Sequence, residues 1–296
     1  MCALLVILLL PSPARAEQAP DPPGKIRRFF EEHGARLATS FGLFSTSRVY
    51  NRTWGPSTRP LILGEPPAPD RFAHDQWSRR RGARGFVENY GAQALHFGAP
   101  LALIALDARD RALMARDLLG FVETTWTNGG LTLLLKDIVG RERPELEYAE
   151  RDGLDPNARA ELEDKPDSHR SFPSGHASAS FAVASYLERA LARKTGMRGA
   201  KRALSFAALY GLAGYISYSR VATDKHYLSD ITAGAALGIT VSRTFYRLNH
   251  PEEFAAGRES RLRGSPIHAT LAPAPIFGGP LVMVSLSTEQ ARQLRQ

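Results

Sequence analysis

The chain has 296 residues, 43% of them hydrophobic, with 38 Lys and Arg against 30 Asp and Glu for a net charge of +8. A single cysteine excludes an intrachain disulfide framework. The positive excess suits an anionic substrate or an anionic membrane surface. The basic residues are interleaved with acidic ones and show no zinc-finger spacing or basic heptads, which argues against nucleic acid as a partner.

In chain order, Cys2 to Leu10 is apolar, Pro11 to Pro13 break the run, and Ala14-Arg15-Ala16 fits a small-x-small cleavage site. Residues 1–16 are therefore expected to be a secretory signal peptide, with export to the bacterial periplasm. No Lys or Arg precedes the run, so an uncleaved anchor competes, although a span needs roughly 20 apolar residues. Residues 17–84 form an N-terminal extension. Ile26, Phe29, Phe30, Leu37 and Phe41 predict an amphipathic helix over 26–43, packed on a core or lying on a membrane surface. Five prolines make 55–69 a loop, and Asp70 is the expected N-cap of a short helix running into Arg79-Arg80-Arg81.

Residues 85–248 carry the main domain. Stretches 86–106, 110–126, 128–142, 177–193, 201–217 and 227–246 read as helices without intervening strand alternation. The fold expected is all-α, a single bundle of about six core helices packed through small residues such as Gly211, Gly214, Gly234 and Ala235. Charges interrupt most of these helices, and the longest uncharged run, Ala203 to Ser219, is at the lower limit for a span. A soluble or peripherally membrane-associated bundle is expected. Residues 145–172, rich in charge, read as a mobile solvated loop. The tail, 249–296, holds a possible hairpin around Phe277-Gly278-Gly279-Pro280 and a terminal helical turn over 288–296. His33, His74, His96, His250 and His268 show no partner pattern.

Three stretches carry chemistry. Ser219 to Asp230 contains Arg220, His226 and Asp230; on a helix His226 and Asp230 would share a face, so the carboxylate could fix the imidazole tautomer. Lys136 and Arg143, seven apart, would end about 20° from overlapping on one helix that stops at Pro144. Phe172-Pro173-Ser174-Gly175-His176 offers Ser174 as an N-cap, Gly175 for close backbone approach to an anion, and His176 as a general acid.

Together, Lys136 with Arg143-Pro144, then Pro173-Ser174-Gly175-His176, then Ser219-Arg220 with His226 and Asp230, resemble the three-part signature of the type 2 phosphatidic acid phosphatase superfamily. That family includes lipid phosphate phosphatases, bacterial nonspecific acid phosphatases and vanadium-dependent haloperoxidases. The resemblance implies a helical bundle and a phosphatase acting on phosphomonoesters or pyrophosphates, lipid phosphates among them. It implies His226 as nucleophile through a phosphohistidine, Asp230 as its orienting carboxylate and His176 as acid and then base. Lys136, Arg143, Arg220, Ser174 and Gly175 would hold the phosphate oxygens, with no metal and no other cofactor. The alternatives are a vanadium-dependent haloperoxidase and a non-catalytic membrane-surface or polyanion-binding protein.

Overall fold

The computed structural model describes residues 23–53, 66–78, 86–107, 110–151, 153–254, 267–273 and 280–286. The expected signal peptide, most of the Pro-rich loop, Arg79 to Arg81 and the terminal turn lie outside them. The chain divides into a unit ending at Thr39 and a second unit from Ser40 onward. The described part of the first unit is helical, and within it an Arg36 guanidinium nitrogen lies 2.7 Å from His33 Nδ1.

The helices are α1 (Pro23–Thr53), α2 (Ala68–Trp77), α3 (Phe86–Asp107), α4 (Arg111–Val139), α5 (Pro144–Glu147), α6 (Pro156–Glu163), α7 (Gly175–Thr195), α8 (Gly199–Ala222) and α9 (Leu228–Asn249). A 3₁₀ turn at Pro166–His169 precedes α7. The class is all-α. At the C-terminal side, β1 (Ile267–Pro273) pairs antiparallel with β2 (Pro280–Leu286), with Ile267 opposite Leu286.

Helix α7 is the centre of the bundle, flanked by α3, α4, α8 and α9. Leu118, Phe121, Val183, Tyr186, Leu187 and Tyr246 form its hydrophobic core with Ala99, Leu103 and Ala190. Helices α7 and α9 approach each other closely at two glycines. A Cβ at Gly234 would lie 2.5 Å from the Ser174 carbonyl oxygen, and one at Gly238 would overlap the Ser178 carbonyl.

Where two helices were expected over 110–142, α4 is continuous. The helix-weak run Thr124 to Gly130 survives because tertiary contacts satisfy it. Asn128 Oδ1 accepts a hydrogen bond from Ser178 Oγ at 2.6 Å, and a Cβ at Gly130 would crowd Leu43 Cγ at 2.9 Å. Asp110 caps the start of α4 by accepting from the Leu113 N–H at 3.0 Å, and Gly140, at φ 59°, ends it in the left-handed conformation.

Asp70 is not an N-cap. Pro67 occupies that position of α2, and Asp70 is the third helical residue, 1% exposed. Nor is 145–172 an open loop: it folds into α5, α6 and the 3₁₀ turn, and Ser168, Arg170 and Ser171 at its end are buried. His250, unpartnered by pattern, is buried with Nε2 2.7 Å from Asp117 Oδ1. Arg193 pairs with the same carboxylate, and this cluster lies at the N-terminal end of α4, opposite Lys136.

Candidate active site

Lys136 stands in the last turn of α4, buried, with its ammonium donating to the Arg170 carbonyl. Arg143 is not on the same helix, as the sequence suggested. Gly140 has already ended α4, and Arg143 is the extended N-cap residue of α5, with Nη2 2.5 Å from Asp167 Oδ2. The two cations nevertheless converge, because the chain turns back on itself. The Arg143 N–H donates to the Ser168 carbonyl at 2.8 Å, and the Ser171 N–H donates to the Arg141 carbonyl at 2.8 Å.

Ser174 is the N-cap of α7, and its Oγ accepts from the Ala177 N–H at 3.4 Å. Gly175 and His176 are thus first-turn residues, whose N–H groups have no partner within the helix and favour an anion. A Cβ on Gly175 would sit 3.9 Å from Lys136 Cε, so the stem of Lys136 runs beside this helix start.

Arg220 lies in the last turn of α8, and its carbonyl accepts from the N–H groups of Lys225 at 3.0 Å and His226 at 3.2 Å. That closed turn, with Asp224 at φ 56°, brings Arg220 and His226 together. His226 precedes α9 rather than lying on it. Asp230, at the third helical position, reaches back to accept the Tyr227 N–H at 2.9 Å, the return half of a capping box. The same oxygen lies 3.6 Å from His226 Nδ1, so the pair meets through helix capping and not through a shared helix face. Finally, the Ser174 N–H donates to the Asp230 carbonyl at 3.0 Å, joining the start of α7 to the start of α9.

Burial removes charge from the two imidazoles. Desolvation lowers the His226 pKa to about 3, with Lys136 and Arg143 adding to the shift against the opposing Asp230 carboxylate. Desolvation also lowers His176 to about 4, reinforced by Arg220, Lys136 and Arg143. For Lys136, burial and then Arg143 bring the ammonium down to about 8. Burial alone would raise Asp230, but His226, Arg141 and Ser171 outweigh it and hold the carboxylate below its usual range.

Four residues that the signature gives no role also contribute. Arg141, buried, places Nη1 2.8 Å from Asp230 Oδ1 and Nη2 2.8 Å from Asp70 Oδ2. Ser171 donates its hydroxyl to Asp230 Oδ2. Arg170, expected in a solvated loop, is buried against Asp137 at 2.6 Å. For three of them the sequence signal was position: Arg141 lies between Lys136 and Arg143, and Arg170 and Ser171 lie just before the Phe172–His176 stretch; Asp70 carried none.

Residues 117–253 match the PAP2 superfamily. That segment, somewhat under half of the chain, is of the PAP2 type. The PAP2 segment contains all eight residues to which the resemblance gives a role, from Lys136 to Asp230, whereas Asp70 lies outside it. Within curated proteins, the chain is 31% identical over 154 residues to the probable diacylglycerol pyrophosphate phosphatase 1 of Schizosaccharomyces pombe, covering 47% of this chain and 55% of that one. It is likewise 31% identical over 142 residues to lipid phosphate phosphatase 2 of Arabidopsis thaliana, covering 44% of this chain and 49% of the relative. The chain thus spans about half the length of these two relatives. No solved structure matches it. Among the described residues, no helix is long and apolar enough to cross a membrane.

Proposed function

We propose that the chain is a metal-independent phosphatase of phosphomonoesters or pyrophosphates, with lipid phosphates as its substrate class, working through a phosphohistidine on His226. The observation that carries this reading is that the stem of Lys136 runs beside the helix start at Gly175 and His176 while Arg220 and His226 share one closed turn, with Arg143 near enough to help depress both imidazoles. Three cations beside a helix N-terminus can stabilise the charge of a transferring phosphoryl group without a divalent ion.

In this reading the neutral His226 ring attacks phosphorus with a nitrogen lone pair, and the bond from phosphorus to the leaving oxygen breaks. His176 gives that oxygen its proton. Water then attacks phosphorus, His176 takes the water proton, and the P–N bond returns its electron pair to the imidazole. Asp230 stabilises the positive charge that His226 carries in the intermediate. An incoming phosphate dianion offsets the three cations, which raises the basicity of His176 and lets it hold the proton the first step needs.

The names of the two relatives support lipid phosphates as substrates. The apolar Cys2 to Leu10 run and its cleavage-like site support export, and with it a periplasmic, soluble or peripheral enzyme.

The deciding experiment is phosphate release in EDTA from a soluble aryl phosphate and from phosphatidate in mixed micelles. Release from both supports a metal-free phosphatase, and preference for the micelle supports the lipid class. Folded protein that releases phosphate from neither overturns the reading.

A further inference from the structure

Asp70 is buried, yet none of its side-chain partners belongs to its own helix. Its Oδ1 accepts the Ser229 N–H at 2.7 Å, and its Oδ2 accepts Ser229 Oγ at 2.6 Å and Arg141 Nη2 at 2.8 Å. Arg141 spans the gap to the site. Its Nη1 reaches Ser229 Oγ at 2.7 Å and Asp230 Oδ1 at 2.8 Å, and its guanidinium carbon stacks 3.9 Å above the Tyr227 ring. Both ends of the planar fork are engaged by protein, so Arg141 is oriented toward carboxylates and not toward a substrate oxyanion. The same face of α2 holds the other end of the site turn: His74 Nδ1 lies 3.1 Å from Asp224 Oδ1, and Ser78 Oγ donates to Asp224 Oδ2 at 2.7 Å.

A buried carboxylate is costly unless it is paired and hydrogen-bonded. Here the pairing partners of Asp70 all lie at the start of α9 or in the turn after α4. Ser229 is the second residue of α9, so Asp70 caps that helix from outside, while Asp230 caps it from within. Loss of Asp70 leaves one end of the Arg141 fork unheld and lets the other end drag Asp230 away from His226.

We propose that Asp70, acting through Arg141, is a positioning residue for the His226–Asp230 pair, which makes α2 part of the working site although it lies outside the PAP2 segment. This rests on the phosphatase reading above. The role is indirect: neither residue meets the phosphate, and both set where the nucleophile points.

The test uses the full chain and a soluble aryl phosphate, with kcat and KM measured across pH for wild type, Asp70→Asn, Arg141→Gln, Arg141→Lys and the double variant, alongside thermal melts. Misplacing a reacting group costs on the order of 100-fold, so Asp70→Asn and Arg141→Gln should lower kcat by about that factor while leaving KM nearly unchanged. Arg141→Lys should not rescue, because a point charge cannot bridge two carboxylates. The double variant should match Arg141→Gln alone, since the two act in series.

The groups acting on His226 are Asp230, Lys136 and Arg143, and those acting on Asp230 include His226, Arg141 and Ser171. Arg141 helps to depress the Asp230 pKa, so removing its cation should raise that pKa and move the acid limb of kcat/KM to higher pH. Folded variants with lower melting temperatures but unchanged kcat and limbs would overturn the proposal and leave the phosphatase intact. Wild type without phosphate release would overturn both, whereas active wild type beside inactive His226→Ala secures the reading on which the variants are judged.

Discussion

Asp230 Oδ2 accepts the Tyr227 N–H at 2.9 Å and faces His226 Nδ1 at 3.6 Å, so one carboxylate oxygen both starts a helix and addresses the proposed nucleophile. The distance to the imidazole is just beyond hydrogen-bond length, whereas the capping bond is fully formed. Protonation or attack at the imidazole strengthens the first contact without disturbing the second.

Replacing His226 by Ala should therefore abolish turnover and the trapping of labelled phosphate on the protein. Asp230→Asn should retain the fold but lose kcat by on the order of 100-fold, because the amide neither stabilises an imidazolium nor holds the ring as the carboxylate does. Acid-quench trapping with a labelled aryl phosphate separates the two: no phosphoenzyme with the first variant, slow formation with the second.

Lys136 makes activity sensitive to base. Its ammonium is held near pH 8 by burial, then by Arg143, so the free enzyme loses this cation as pH rises through about 8. A falling limb near that pH should appear in kcat/KM, which reports the free enzyme. Lys136→Arg keeps its charge and should move the limb to higher pH even if overall activity drops; an unchanged limb would exclude Lys136 as its source.

Acid should weaken the fold through the two site histidines. Unfolded, each takes up a proton as pH falls through about 6.5, whereas folded His176 and His226 stay neutral to about 4 and about 3. The unfolded state then binds more protons, so stability is fully present above about 6.5 and is lost as pH falls toward those values. Urea midpoints measured between pH 7 and pH 4.5 should decline, and His176→Gln should flatten the decline.

Helix spacing sets the site as well. A Cβ at Gly238 would overlap the Ser178 carbonyl, so Gly238→Ala must push α9 from α7. Overpacking of this kind costs about 1–3 kcal/mol. The shift would also disturb the Ser174 N–H to Asp230 carbonyl bond, so kcat should fall with stability, as read by denaturant melts and initial rates on the same preparation.

The helical class was legible from long segments rich in Ala, Leu and Gly, and the cluster of His and cations from residue types at short spacings. Ser174 as an N-cap needed only its own neighbours. The continuity of α4 was not legible, because Thr124 to Gly130 are weak helix formers and only Ser178, Leu43 and Phe44 show why the helix persists. His226 and Asp230 were paired for the wrong reason: the spacing of four suggested one helix face, whereas the helix begins between them.

By itself the sequence determined which side chains are candidates to hold and transfer a phosphoryl group in the proposed reaction, since charge, nucleophilicity and local capping are properties of residues and their near neighbours. Tertiary structure alone decided that Lys136 and Arg143 converge across a chain reversal and that Arg170 and Ser171 are interior. It also decided that Asp70, 160 residues before Asp230, reaches the site through Arg141. Such contacts join groups far apart in the chain, and their strength comes from burial, which no local pattern of residues records.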